Sequence, residues 1–330
     1  MNSPTLKIHL PTVRRQRNAP SVNGFDRENG VPGSLGDGGL TRILLSDSLS
    51  LESGFTTILR SPVGERPLRE EITMSISRSV VWGDLLGMRK IETVEQMPDE
   101  YKTTLLKIIY ALASTEFASV EQHQPWINQG PTPEDRYIQA QIAADEAHQG
   151  FVDCRLLRSF GPEGEEKAAT LLKLRMGEHP LAAFNVPFES WVDVCGFCFL
   201  LDLVAWHHLR GMENCSYAPL AREMATMVHE EKFHASFGAR RIRDIVRNPA
   251  YAQLCGATKE DAQRTVDKWY PQALDTFGAS ESKFSELAVA YGIRRWGNEA
   301  LRQMFRQDID AQIEAIGLKV PEPEKGRRIH

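Results

Sequence analysis

Phe197-Cys198-Phe199-Leu200-Leu201-Asp202-Leu203-Val204-Ala205-Trp206 is a nearly unbroken apolar run with one carboxylate in its middle. The run lies within a helix expected over about 190–213, with Ser190 as its cap. A carboxylate in that setting is buried, and burying an unpaired charge costs several kcal/mol. Something must neutralise Asp202, and a cation is the economical answer. The rest of the chain therefore has to supply the other groups that would hold it.

Outward from this run, three more long helical segments carry metal-competent side chains inside apolar stretches. Glu116 precedes Phe117 and Ala118 in a helix expected over 101–119, which begins after Met97-Pro98-Asp99. Asp145-Glu146-Ala147-His148-Gln149 follows Ile142-Ala143-Ala144 in a helix opened by Pro133 and stopped at Gly161-Pro162. Glu230-Glu231-Lys232-Phe233-His234 sits in a helix expected over 218–246, which Asn248-Pro249 should end. Shorter helices fit 164–173, 259–275, 281–295 and 297–315, and no alternating strand pattern of useful length exists. The chain reads as all-α.

On a helix, positions i and i+3 lie about 60° apart on one face, so Glu231 and His234 can grip one metal together. A carboxylate on one helix and Glu-x-x-His on the next, repeated once, is the ligand logic of a carboxylate-bridged di-iron four-helix bundle. A single Glu-x-x-His arises often by chance on surface helices. The ordered set of Glu116, Glu146, Asp202 and Glu231/His234 does not.

Composition narrows the class. With 42% hydrophobic and 25% charged residues, the chain is neither collagen-like, nor wholly disordered, nor a disulfide scaffold. A net charge of −5 argues against a nucleic-acid surface. We find no run of about 18 uncharged apolar residues, which argues against a membrane span. Five cysteines and a polar, basic N-terminus without an apolar core fit a reducing cytoplasm. Residues 1–70, crowded with glycine and proline, read as an arm that is flexible or wraps a partner, ahead of a helical domain over 71–330.

The distributed stretches Met97-Pro98-Asp99-Glu100-Tyr101, Ser114-Thr115-Glu116, Trp126-Ile127, Phe184-Asn185-Val186-Pro187, Ser190-Trp191-Val192-Asp193, Ser216-Tyr217-Ala218-Pro219 and Val320-Pro321-Glu322-Pro323 resemble one family. It is the catalytic subunit of phenylacetyl-CoA epoxidase, a bacterial multicomponent di-iron monooxygenase. The resemblance runs from about 97 to 324. It implies a ferritin-like four-helix bundle with additional C-terminal helices, and two irons held by Glu116, Glu146, Asp202, Glu231 and His234. It further implies O2 as co-substrate, an aryl-CoA substrate, an electron-donating reductase and a non-catalytic paralogous subunit or homo-oligomer as partner.

One motif departs from that pattern. Where the family has Asp-Glu-Ala-Gly-His, this chain has Asp145-Glu146-Ala147-His148-Gln149. Ungapped, Gln149 stands where a histidine ligand should be, and its amide oxygen is a weaker ligand that loosens one iron site. Shifted by one residue, Asp145 and His148 form an i, i+3 pair instead. Two functional readings are open: an iron-dependent oxygenase acting on an apolar or aromatic, CoA- or carrier-linked substrate, or a structural subunit with a degenerate metal site.

Other conspicuous residues have plainer expectations. Cys195 and Cys198 read as two buried reduced thiols, and His207 and His208 as helix-surface histidines with one of them near Asp202. His229 and Glu230 read as neighbours of the motif that are either exposed or support the ligands from behind. Trp191, Trp206 and Trp269 read as core, and Arg240, Arg241, Arg243 and Arg247 as a solvated basic face.

Overall fold

The structure is a computed structural model, and it describes residues 77–329. The 1–70 arm falls outside the described residues. Among those residues there is no strand beyond two isolated bridges, Ser79 with Arg89 and Ile91 with Tyr217. Everything else of consequence is helix: α1 (Asp99–His123), α2 (Pro133–Arg158), α3 (Pro162–Leu171), α4 (Trp191–Phe197), α5 (Leu203–Met212) and α6 (Ala218–Arg247). These are followed by α7 (Pro249–Cys255), α8 (Lys259–Thr276), α9 (Lys283–Ala290) and α10 (Asn298–Ile316).

The termini reflect local chemistry. Thr132 closes a capping box with Asp135 ahead of Pro133, so α2 starts where its first N–H groups are satisfied. Ser190 accepts a hydrogen bond from the Asp193 amide at 3.1 Å, fixing the start of α4. Gly161 takes φ +76°, a left-handed turn that separates α2 from α3. Asn248-Pro249 does end α6, as its sequence suggests, but Asn248 also caps α7, a short helix that the sequence pattern did not reveal.

The bundle consists of α1, α2, the α4–α5 rod and α6. In α6 the buried positions Leu220, Met224, Met227, Glu231, His234, Gly238, Arg241 and Ile245 recur at three- and four-residue steps, a single inward stripe. Around α4, Asp193 accepts hydrogen bonds from the Trp269 indole and the Lys268 ammonium, which pins α8 against the rod. Trp191 and Trp269 are core residues.

Two apolar clusters lie along the bundle. One gathers Tyr101, Leu105, Ile109, Leu157 and Met224, and the other Ile142, Phe197, Leu200, Trp269 and Phe305. Every helix of the bundle passes from one cluster to the other, and the polar residues singled out above sit at the crossing. Trp191–Met212, with mean hydropathy 1.4, is in fact long and apolar enough to cross a membrane by length and composition, contrary to the expectation above. It is mostly buried inside the protein, as the central helix of a bundle would be.

The rod is not a plain α-helix. Cys198–Asp202 form a π-helical turn between α4 and α5. A π turn inserts a residue into the helical repeat and re-aims the side chains beyond it, and such turns concentrate at functional sites. Here it ends on Asp202. Gly238 on α6 is the packing partner of this turn. A Cβ on Gly238 would lie 2.6 Å from the Cys195 carbonyl oxygen and 2.7 Å from the Cys198 carbonyl carbon, and would strike the Phe199 amide. Only glycine lets the two backbones meet here.

Candidate metal centre

Glu146, Asp202, Glu231 and His234 come together from α2, the π turn and α6, with one ligand atom of each within 4.8 Å of all the others. All four are buried. His234 Nδ1 is 3.5 Å from both Glu146 Oε1 and Glu231 Oε1, and has no hydrogen-bond partner. On the other side of the ring, Nε2 is 3.2 Å from Asp145 Oδ2. Asp145 thus fixes the imidazole from behind and leaves Nδ1 facing the carboxylates, the usual support for a ligating histidine. The sequence suggested Asp145 only as a ligand in the shifted register.

Glu116 on α1 is buried and faces Glu146 within hydrogen-bonding range. Gln149 is buried too, and its Nε2 donates to Glu231 Oε1 at 2.8 Å. Gln149 Oε1 and Asp202 Oδ2 are both buried without a hydrogen-bond partner. His148 points outward, with its side chain 54% exposed and its Nδ1 4.0 Å from Glu230. The geometry therefore brings Glu116, Glu146, Gln149, Asp202, Glu231 and His234 together and leaves His148 out. His229 is exposed.

Electrostatics make the assembly costly without a cation. Burial, then the charges of Glu231 and Glu146, push the Asp202 carboxyl well above its ordinary range. Burial and Glu146 push Glu116 well above its ordinary range and also raise Glu231. Burial also raises Glu146, but the nearby His234 and Glu116 outweigh it and hold that carboxyl low. Burial works against a charged His234, yet the surrounding carboxylates raise its pKa well above the ordinary value. Without metal the cluster stores protons; a divalent cation would displace them. Orphaned lone pairs on Asp202, Gln149 and His234, beside four carboxylates, suit a hard cation that also accepts one nitrogen.

Several nearby residues carried no readable signal. His123 lies two turns beyond Glu116 on the same helix. It is fully buried, bonded through Nδ1 to Gln139 Nε2 at 2.8 Å, and its Nε2 has no partner. Burial lowers its pKa to about 4, so it is neutral. His207 is not a surface residue: it is buried with Nε2 3.1 Å from Asp308. His208 is half-buried. The basic cluster is a solvated face only in part: Arg243 and Arg247 are exposed, whereas Arg241 is buried against Asp135 and Glu134, and Arg240 pairs with Glu134. Arg247 reaches the last carbonyls of α10. Trp206 is half-buried between Arg210 and Lys232, 4.4 and 4.3 Å from its ring. Cys195 and Cys198 are buried free thiols, as expected.

A cavity of about 370 Å³ opens beside Glu116. Its walls are mostly apolar, including Leu112, Phe184, Leu201, Val204 and Phe277, and Phe284, also part of its lining, is 40% exposed. A second hollow of about 400 Å³, near Trp126 and Phe188, contains none of the six clustered residues.

A helical bundle with buried carboxylates and one carboxylate-supported imidazole at its centre defines a ferritin-like protein with a metal-competent core. Residues 88–328 match the family model described as phenylacetic acid catabolic protein. The chain belongs to that family. It is 30% identical over 236 residues to one of the subunits of 1,2-phenylacetyl-CoA epoxidase from Escherichia coli (strain K12), an alignment covering 71% of this chain and 74% of that one. It is also 30% identical over 235 residues to benzoyl-CoA oxygenase component B of Aromatoleum evansii, covering 66% of this chain and 49% of that protein's length.

Proposed function

We propose that the protein is a non-haem iron oxygenase that inserts oxygen into an apolar or aromatic substrate. The observation that carries this reading is the juxtaposition of a metal-competent cluster with an apolar cavity lined by Glu116, which faces the cluster's Glu146. Both relatives are, by name, components of oxygenase systems acting on aryl-CoA compounds. An acyl-CoA or carrier-linked acyl group is therefore one form of the substrate. An electron-donating reductase and a paralogous or second copy of the chain complete the system. The five free cysteines support a cytoplasmic setting.

In this reading Glu146, Asp202, Glu231 and His234 hold iron, with Glu116 and Gln149 completing a second, weaker position. Iron when bound supplies the two-electron reduction of O2. The chain's own residues do the rest. Asp145 keeps the proton on His234 Nε2, so Nδ1 remains a lone-pair donor. Leu201 and Val204 exclude water from the side of the cavity, which limits proton leakage and hydrolytic side reactions at the site. Glu116 and Glu146 share a proton in the metal-free chain and release it when a cation enters.

The direct test is metal analysis of protein from iron-supplemented cells. Iron bound in stoichiometric amount is expected, and its absence would favour the structural-subunit reading, which the amide at position 149 otherwise supports. A finer expectation concerns α2. A neutral amide oxygen is a poorer iron ligand than an imidazole, so Gln149→His should raise iron content towards two per chain. His148→Ala should leave it unchanged. Loss of iron in His148→Ala would place the ligand in the other register.

A further inference from the structure

Resting on the oxygenase reading, we propose that His208 recognises an acyl thioester in the cavity: its ring N–H donates to the thioester carbonyl oxygen and orients the acyl group towards Glu116. His208 and Glu116 line the same cavity, one on α5 and the other on α1. His208 makes no hydrogen bond with any described residue, and neither of its ring nitrogens is sealed from accessible surface. The buried histidines of the bundle differ: His123 is bonded to Gln139 at 2.8 Å, His207 lies 3.1 Å from Asp308 and His234 lies 3.2 Å from Asp145. The other polar side chains of the lining are largely spent. Thr115 donates to the Leu112 carbonyl, Asn298 to the Ala279 carbonyl, and Arg294 to Ser285 and Asn298, while Ser282 caps α9.

A polar ring in an apolar wall costs free energy until a partner satisfies it. The character of the ring says which partner. Burial and the charge of Arg294 hold His208 neutral, with a pKa of about 3. It therefore offers a single N–H and no charge, which suits one uncharged carbonyl oxygen. The stack on Phe277, with centroids 5.0 Å apart, fixes the plane of the ring and so the direction of its donor. His208 stands six residues past Asp202, about 9 Å along the helix axis, which leaves room for one aromatic ring between the carbonyl and the cluster. The cavity of about 370 Å³ holds an acyl group but not a nucleotide, so the thiol part leaves by the side on which Phe284 is exposed.

Binding to the full chain, measured anaerobically by calorimetry, tests this without turnover. The probes are phenylacetyl-CoA and benzoyl-CoA, each beside the thioether in which CH2 replaces the carbonyl. At least one thioester should bind about fivefold or more tighter than its thioether. His208→Phe, which keeps a ring on Phe277, should bring the pair within about twofold, and His208→Gln should restore part of the preference. Difference infrared spectra should place the isotope-labelled carbonyl stretch of the bound thioester at lower frequency in the unaltered chain than in His208→Phe. A merely structural role would not give that signature. Equal binding of thioester and thioether, no thioester binding, or a preference or stretch that survives in His208→Phe would overturn the proposal. Iron content is read separately. A chain that binds iron without a carbonyl preference sinks this inference alone, and a carbonyl preference without iron sinks the oxygenase reading alone.

Discussion

Glu231→Ala and His234→Ala are each expected to strip iron almost completely and abolish oxygenase activity, while far-ultraviolet circular dichroism remains that of a helical bundle. Each removes a donor from the four whose atoms converge within 4.8 Å. At the corresponding inward position of α2 stands Gln149, which offers an amide and not a second imidazole. Folding should survive in the metal-free form because removing Glu231 relieves the repulsion that raises Asp202 and Glu116. The same logic gives a second readout: iron should raise the Tm of the unaltered chain and not that of either variant. Full metal content in both variants would sink the assignment.

Gly238→Ala should be the most damaging small substitution in the bundle. The added Cβ would press against backbone of the π turn, at 2.6 Å from the Cys195 carbonyl oxygen, and neither helix has a flexible side chain there to give way. Overpacking of this kind costs about 1–3 kcal/mol, and a backbone clash belongs at the upper end. If α6 and the rod separate to relieve it, Asp202 moves away from Glu231 and His234. Thermal unfolding should therefore drop by several degrees and iron content should fall together with it. Ala at 238 with unchanged Tm and iron would show that the contact is slack.

Much of this was legible in the sequence, for identifiable reasons. Helix-period apolar spacing with clear stops at Gly161-Pro162 and Asn248-Pro249 gave most elements to within a few residues, but the helix expected over 281–295 ends at Ala290. Asp202 announced a buried site because a charge inside an apolar run needs a partner. The features that stayed hidden depended on contacts between distant segments. The π turn at Cys198–Asp202 falls in a run that is apolar at every position before Asp202, so no periodicity marks it. Asp145 as the support of His234, and Arg294 in the cavity wall, depend on which faces meet across the bundle. His207 looked like surface because its partner Asp308 lies about a hundred residues away in α10.

The π turn also changes how this chain should be compared with others. Each residue turns an α-helix by about 100°, so a relative lacking one residue between Cys198 and Asp202 would still have a continuous helix there. Its two halves would, however, be rotated against each other. A one-residue gap at this point in a sequence comparison is then a change of helical phase, not of loop length. It decides whether the residues after it, His207 and His208 among them, face the bundle, α10 or the cavity.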